Sequence, residues 1–190
     1  MEADCTPVTI FRHPFREGGD GSRTLLVQAA QRFSGLDPGA LGELRTGPWG
    51  KPFFPQVPGL HFSLTHSGEW WLCAFSDRPL GLDLQIHRSH ADPARLSRRF
   101  FHPLEDAWLA RGQYRDFFDL WCAKESWVKY TGHGFFDDPA TFSVVDEAGH
   151  FPAMEGAKLR LLPFAPGYSL CLCAREETAV EWHALCPIPC

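Results

Sequence analysis

From Pro79 to His87 the chain reads "PLGLDLQIH", with an apolar residue at every second position. In a strand, Leu80, Leu82, Leu84 and Ile86 share one face, and Gly81, Asp83, Gln85 and His87 share the other. Earlier, "LHFSLTHSGEWWLCAFS" predicts two strands joined by a turn around Ser67 and Gly68. Later, "ATFSVVDEAGHF", "AKLRLLPFAPGYSLCLCARE" and "AVEWHAL" have strand-like patterns. Helical composition marks "SRTLLVQAAQRFSG", which closes on Gly35. In "LDPGALGEL", Asp37 is placed to cap a helix whose first turn holds Pro38. "ADPARLSRRFFHPLEDAWLARG" predicts two short helices opened by Asp92-Pro93 and His102-Pro103, and "RDFFDLWCAKESWVKYTG" a longer helix ending at Gly132.

These elements echo one another. The helix ending Phe33-Ser34-Gly35 has a counterpart ending Tyr130-Thr131-Gly132, and the hairpin turning at Gly68 has one turning at Gly167. Helix followed by hairpin, twice at nearly one offset, predicts an α+β chain of two similar α/β lobes, divided as 1–80 and 81–190. A chain of 190 residues accommodates such a pair with a substantial core.

Composition narrows the partners. A net charge of −5 argues against general nucleic-acid binding, which usually shows a basic excess. Seven cysteines without a CxxC motif predict free, mostly buried thiols in a reducing compartment. Cys171 and Cys173 alternate within "SLCLCA" and would point to one face. No cationic flank precedes an apolar run at the start, and no apolar stretch approaches the roughly 20 residues of a membrane span. A cytoplasmic protein with no membrane partner is expected.

Candidate chemistry centres on Asp83, because a carboxylate within an apolar strand needs a positive or hydrogen-bonding partner. On the long helix, Trp121, Glu125 and Lys129 follow at i, i+4 spacing and share a face. An exposed Glu–Lys pair of that spacing contributes only ~0.2–0.5 kcal/mol. The surrounding Trp121, Trp127 and Tyr130 predict a helix with little exposed surface, where the pair needs a stronger partner. If this helix packs on the Asp83 strand, the two carboxylates converge and repel, and a divalent cation such as Mg²⁺ relieves them. Two unrelated acids are the plainer reading of the same spacing. Lys51 in "GPWGKPFF" sits on a short rigid segment, and Thr65 and His66 in "SLTHSGEW" are placed at a hairpin turn; each suits phosphate or plain solvent. Zinc finds no ligand spacing at His61 or His66.

The order "GKP", "SLTHSGEWWLCAFSDRPLGLDLQ", "FFHPLE", "WCAKESWVKYTGHG" resembles the surfactin-type 4′-phosphopantetheinyl transferases, from about Arg23 to Gly134. The resemblance implies transfer of 4′-phosphopantetheine from coenzyme A to a serine of an apo acyl or peptidyl carrier protein, releasing adenosine 3′,5′-bisphosphate. It also implies a pseudo-twofold pair of lobes with the coenzyme in the cleft between them. By matching motif, Asp83 and Glu125 are the Mg²⁺ ligands and Glu105 the base for the carrier serine. Lys129 would contact the pyrophosphate and steady the departing phosphate, while Lys51, Thr65, His66 and Arg23 would hold phosphates of the coenzyme. Such a division suits phosphoryl transfer, which asks mainly for positioning and charge neutralisation.

One position departs from the pattern. Many relatives carry a third acid where this chain has Gln85, leaving two carboxylates to offset the metal, with the amide of Gln85 as an auxiliary ligand or water holder. Carriers of this class are acidic around the modified serine, so docking needs a local basic patch. "ARLSRRFF" supplies Arg95, Arg98 and Arg99 beside Phe100 and Phe101, equally readable as a solvated helix face with core phenylalanines. One chain supplies both lobes, so a monomer is expected. The competing readings are a non-catalytic module binding coenzyme A or a carrier, its metal site decayed at Gln85, and a Mg²⁺-dependent nucleotide phosphohydrolase.

Overall fold

The computed structural model describes residues 7–15, 21–134, 138–175 and 178–185. Along the chain run β1 (Val8–Pro14), α1 (Gly21–Ser34), α2 (Pro38–Leu41), β2 (Arg45–Thr46), β3 (Pro52–Phe53), β4 (His61–Ser67) and β5 (Trp70–Ser76). There follow β6 (Gly81–Ile86), α3 (Pro93–Phe100), α4 (Pro103–Arg111), α5 (Phe117–Thr131), β7 (Ala157–Leu161), β8 (Tyr168–Arg175) and β9 (Val180–Ala184). The helices begin and end where the chain's punctuation places them. Asp37 accepts from the Ala40 amide and Asp92 from the Arg95 amide, satisfying donors that the first helical turn leaves open. Gly132 closes α5 in the left-handed conformation at φ 75°.

Two larger sheets carry the fold. One has the order β4-β5-β1-β9, with β9 parallel to β1 and the other pairs antiparallel; the second is antiparallel with the order β6-β8-β7. Leu25, Leu26, Ala29 and Ala30 of α1 cover the first sheet over Trp71 and Phe75. Leu120, Ala123 and Trp127 of α5 cover the second over Leu159, Cys171 and Cys173. Between the sheets lies a third cluster built from Val8, Ile10, Leu72 and Ala74 on one side and Leu82, Leu84, Leu170 and Leu172 on the other. The chain is a mixed α+β protein. No helix among the described residues is long and apolar enough to cross a membrane.

The two sheets meet along β4 and β6 without a backbone ladder. Instead the hydroxyls of Ser63, Thr65 and Ser67 accept from the Leu82, Leu84 and Ile86 amides at 2.8, 3.1 and 3.0 Å. Alternation on β4 turns all three hydroxyls to β6, each bond contributing about 0.5–1.5 kcal/mol net.

Two expectations need correction. The division at 80/81 fails at the far end, because β9 leaves the second half of the chain and extends the first sheet beside β1. "ATFSVVDEAGHF" forms no strand: a 3₁₀ turn at Pro139–Thr141 leads into a loop, although Val144 and Val145 are buried. The Val144 amide is served by the Glu105 carboxylate and the Val145 amide by the Ser143 hydroxyl. Side chains thus supply what a neighbouring strand would have given. The described cysteines, Cys73, Cys122, Cys171 and Cys173, are free and buried; Cys5, Cys186 and Cys190 lie outside the described residues.

Candidate active site

Gly81 sets the approach of α5. A Cβ there would lie 1.9 Å from the Ser126 carbonyl oxygen and 2.6 Å from the Tyr130 amide nitrogen, so only glycine lets helix backbone rest on β6. Small polar residues on α5 complete the seating. The Ser126 hydroxyl donates to the Cys171 carbonyl at 2.8 Å, and the Cys122 thiol donates to the carbonyl of Asp83 at 2.8 Å. Both faces of β6 are therefore covered at Asp83, which is 7% exposed.

This packing places Glu125 and Lys129, one helical turn apart, over the Asp83 side chain. The Lys129 ammonium donates to the Asp83 carboxylate at 2.6 Å and to the Leu64 and Leu82 carbonyls at 3.3 and 3.1 Å. The Thr65 hydroxyl donates to the same carboxylate oxygen at 3.1 Å. A cleft of about 320 Å³ opens here, lined by Thr65, His66, Asp83, Gln85, Glu125 and Lys129, with Trp121 as its aromatic wall. Burial, and then the charge of Asp83, push the Glu125 carboxyl above its usual range against the opposing pull of Lys129. Two acids share one ammonium in a half-buried cleft.

That imbalance is the test of fit for a cation. Among the described residues no three or more His, Cys, Asp or Glu side chains form a metal-holding group. Two carboxylates with an amide oxygen nearby is a donor set of the hard, sparse kind that Mg²⁺ accepts, leaving its other positions to water and phosphate. Gln85 donates its amide nitrogen to the Ile86 carbonyl at 3.1 Å, which leaves its carbonyl oxygen as the end for a cation or its water. The residues present fit the ion.

The remaining candidate residues divide between the cleft and its surroundings. Thr65 is not at the turn: it lies within β4, is 5% exposed, and reaches Asp83 because strand alternation turns it inward. His66, the next residue of β4, is exposed and lines the cleft at its edge, its ring 5.2 Å from that of Phe15. Arg23 is exposed on α1 and is not among the cleft-lining residues. Lys51 lines a neighbouring cavity of about 260 Å³ that shares Leu64 and Lys129 with the cleft.

Glu105 requires a correction. It is fully buried, with one carboxylate oxygen accepting from Lys124 at 2.7 Å and the His102 amide at 3.0 Å, and the other from the Val144 amide at 2.8 Å. A general base must come within hydrogen-bonding reach of its proton, directly or through one water. Glu105 instead completes the capping box of α4 with His102, and ties α4, α5 and the loop at Val144 together. Phe101 also leaves the proposed docking patch: it is 5% exposed and stacks on Phe117 at 5.4 Å. Arg95, Arg98 and Arg99 remain exposed on α3, with Arg99 over the half-buried Phe100 ring at 4.9 Å.

Lys124, the partner of Glu105, is not among the candidate residues of "WCAKESWVKYTGHG". The signal was present in "HPLE", where a helix-opening residue is followed three positions later by glutamate.

Known proteins place these features in a family. Residues 79–182 match the model of the 4′-phosphopantetheinyl transferase superfamily. A 4′-phosphopantetheinyl transferase of Bacillus subtilis is 35% identical over 141 residues, covering 69% of this chain and 62% of that protein. The 4′-phosphopantetheinyl transferase Sfp of Bacillus subtilis (strain 168) is 31% identical over 150 residues, covering 72% and 64% respectively. The 4′-phosphopantetheinyl transferase HetI of Nostoc is 34% identical over 175 residues, covering 88% of this chain and 64% of that protein. The chain spans less than two thirds of the length of each of these relatives. The chain belongs to the 4′-phosphopantetheinyl transferase superfamily.

Proposed function

We propose that this member of the superfamily transfers the 4′-phosphopantetheine group of coenzyme A to a serine hydroxyl of an apo acyl or peptidyl carrier protein. The observation that carries the reading is the convergence of Asp83, Glu125, Lys129, Thr65 and His66 on one cleft, from motifs spread over two strands and a helix. In the reaction the serine oxygen bonds to the phosphorus next to pantetheine. The bond from that phosphorus to the oxygen of the adenosine 5′-phosphate breaks, and adenosine 3′,5′-bisphosphate leaves with the electron pair.

Asp83 and Glu125 would hold Mg²⁺, with Gln85 as auxiliary, and the ion when bound offsets charge on the pyrophosphate oxygens. Lys129 is placed to exchange part of its bonding to Asp83 for a phosphate oxygen, steadying charge on the leaving group. Thr65 and His66 both line the cleft and would orient the phosphates; Arg23, outside the cleft on α1, would reach only a more distant phosphate of the coenzyme. The serine proton would fall to Glu125, the carboxylate that lines the cleft beside Asp83. Glu105 supports this site from behind.

The carrier, acidic at its serine, would dock on Arg95, Arg98 and Arg99 beside Phe100. The enzyme would act as a monomer in the cytoplasm, where its buried thiols stay reduced. The test is incubation with coenzyme A, Mg²⁺ and an apo carrier, read by mass spectrometry. A phosphopantetheine adduct that EDTA prevents is the expected result; coenzyme A hydrolysis without an adduct overturns the reading.

A further inference from the structure

Lys51 and the C-terminal turn of α5 are built around each other. The Lys51 ammonium donates to the Leu80 carbonyl at 3.3 Å and to the Lys129 carbonyl, the latter a short contact. A helix leaves its last four carbonyls without intrahelical partners. In α5 the Gly132 amide closes on Val128, and the Lys129 carbonyl receives Lys51 instead. A cation at that end also faces the negative pole of the helix.

The loop that carries Lys51 is closed by its own backbone hydrogen bonds and fitted against the end of α5. The Gly47 amide donates to the Lys51 carbonyl at 2.9 Å, and the Gly50 amide to the Gly47 carbonyl at 3.0 Å. Just past α5, a Cβ at Gly132 would lie 3.2 Å from Lys51 Cδ, and one at Gly134 only 2.9 Å from the Trp49 carbonyl oxygen. The two glycines of "TGHG" have positive φ and admit the loop against the helix end. Lys51 does not line the Asp83 cleft, whereas Lys129 borders both spaces.

We propose that Lys51 is a positioning residue: by capping the carbonyl of Lys129 and bridging it to Leu80, it holds the last turn of α5 so that the Lys129 amine stands at Asp83. The alternative, direct contact with a coenzyme phosphate, makes a different kinetic prediction. Burial brings the Lys51 ammonium down to about 8. The titratable groups facing it are Cys173, whose thiol burial pushes up to about 12, and His61, which burial and then Lys51 hold below the usual imidazole range. Neither titrates near 8, so loss of the cap charge would appear as a fall in kcat as pH rises through that value.

The kinetic arm rests on the transfer reading; the second arm does not. In the full chain, Lys51→Met should lower kcat for adduct formation about tenfold while the KM for coenzyme A stays within about twofold. Lys51→Arg, which can still donate to both carbonyls, should restore most of the rate and remove the fall in kcat through pH 8. Hydrogen exchange should show the Thr131 and Gly132 amides of Lys51→Met opening about tenfold faster, with the Leu120 to Ala123 amides unchanged. A raised KM for coenzyme A at unchanged kcat would make Lys51 a phosphate contact and overturn the proposal. So would wild-type exchange at the helix end, or faster exchange along the whole of α5. If the wild-type chain forms no adduct, the transfer reading fails and the exchange arm alone decides the role of Lys51.

Discussion

Helix α5 makes two lysine–carboxylate pairs of nearly equal length and opposite meaning. Lys124 meets Glu105 at 2.7 Å with the two side chains 3% and 0% exposed; Lys129 meets Asp83 at 2.6 Å with 29% and 9%. At 100° per residue, the two lysines leave the helix about 140° apart. Lys124 points to α4 and the loop beyond α5, where it also donates to the Phe142 carbonyl and lies 4.2 Å over the Phe142 ring. Both oxygens of Glu105 are spent on protein donors. The Lys129–Asp83 pair opens onto a cleft beside Glu125, a second acid lacking full compensation. What distinguishes structure from chemistry is access and unspent bonding, not the identity of the pair.

The largest effect that would test this contrast is on stability. Lys124→Met leaves Glu105 buried without its cation and should lose ~3–5 kcal/mol, read as the shift in a urea unfolding curve. Burial lowers the Lys124 ammonium while Glu105 raises it, so the pair stands by mutual support. If Glu105→Gln unfolds like the wild type yet forms no adduct, Glu105 belongs to the chemistry and the contrast collapses. Asp83→Asn should do the reverse: near-native unfolding, with adduct formation down about 10²–10³-fold, the scale for losing one preorganised electrostatic group.

Smaller effects sharpen the cleft side. Gln85→Ala should cost less than tenfold at saturating Mg²⁺, and Gln85→Glu should lower the Mg²⁺ concentration for half-maximal rate. Should Gln85→Ala be as inactive as Asp83→Asn at saturating metal, the auxiliary role is wrong. Reversing Arg98 and Arg99 to glutamate should raise the KM for the carrier severalfold and leave that for coenzyme A alone. Equal losses for both substrates would signal misfolding instead. Least of all, Ser63→Ala should remove one bond of the hydroxyl ladder and cost about 1 kcal/mol of stability with little change in kcat.

Much of this molecule was decided within short stretches of chain. Asp37, Asp92 and the prolines after them, with Gly35 and Gly132, fixed where helices begin and end, because capping is a contest among neighbouring backbone groups. Alternation fixed β6, and the order of motifs pointed to the superfamily. Contacts across long separations were not legible in that way. Only the tertiary structure took Glu105 out of the cleft, turned Thr65 into a partner of Asp83, and returned β9 to the first sheet. The physical reason is visible at Gly81. Local sequence decides which face a side chain leaves from, but the close seating of α5 on β6 decides what it meets. That seating gives Asp83 a lysine and a second carboxylate, and leaves Glu105 enclosed.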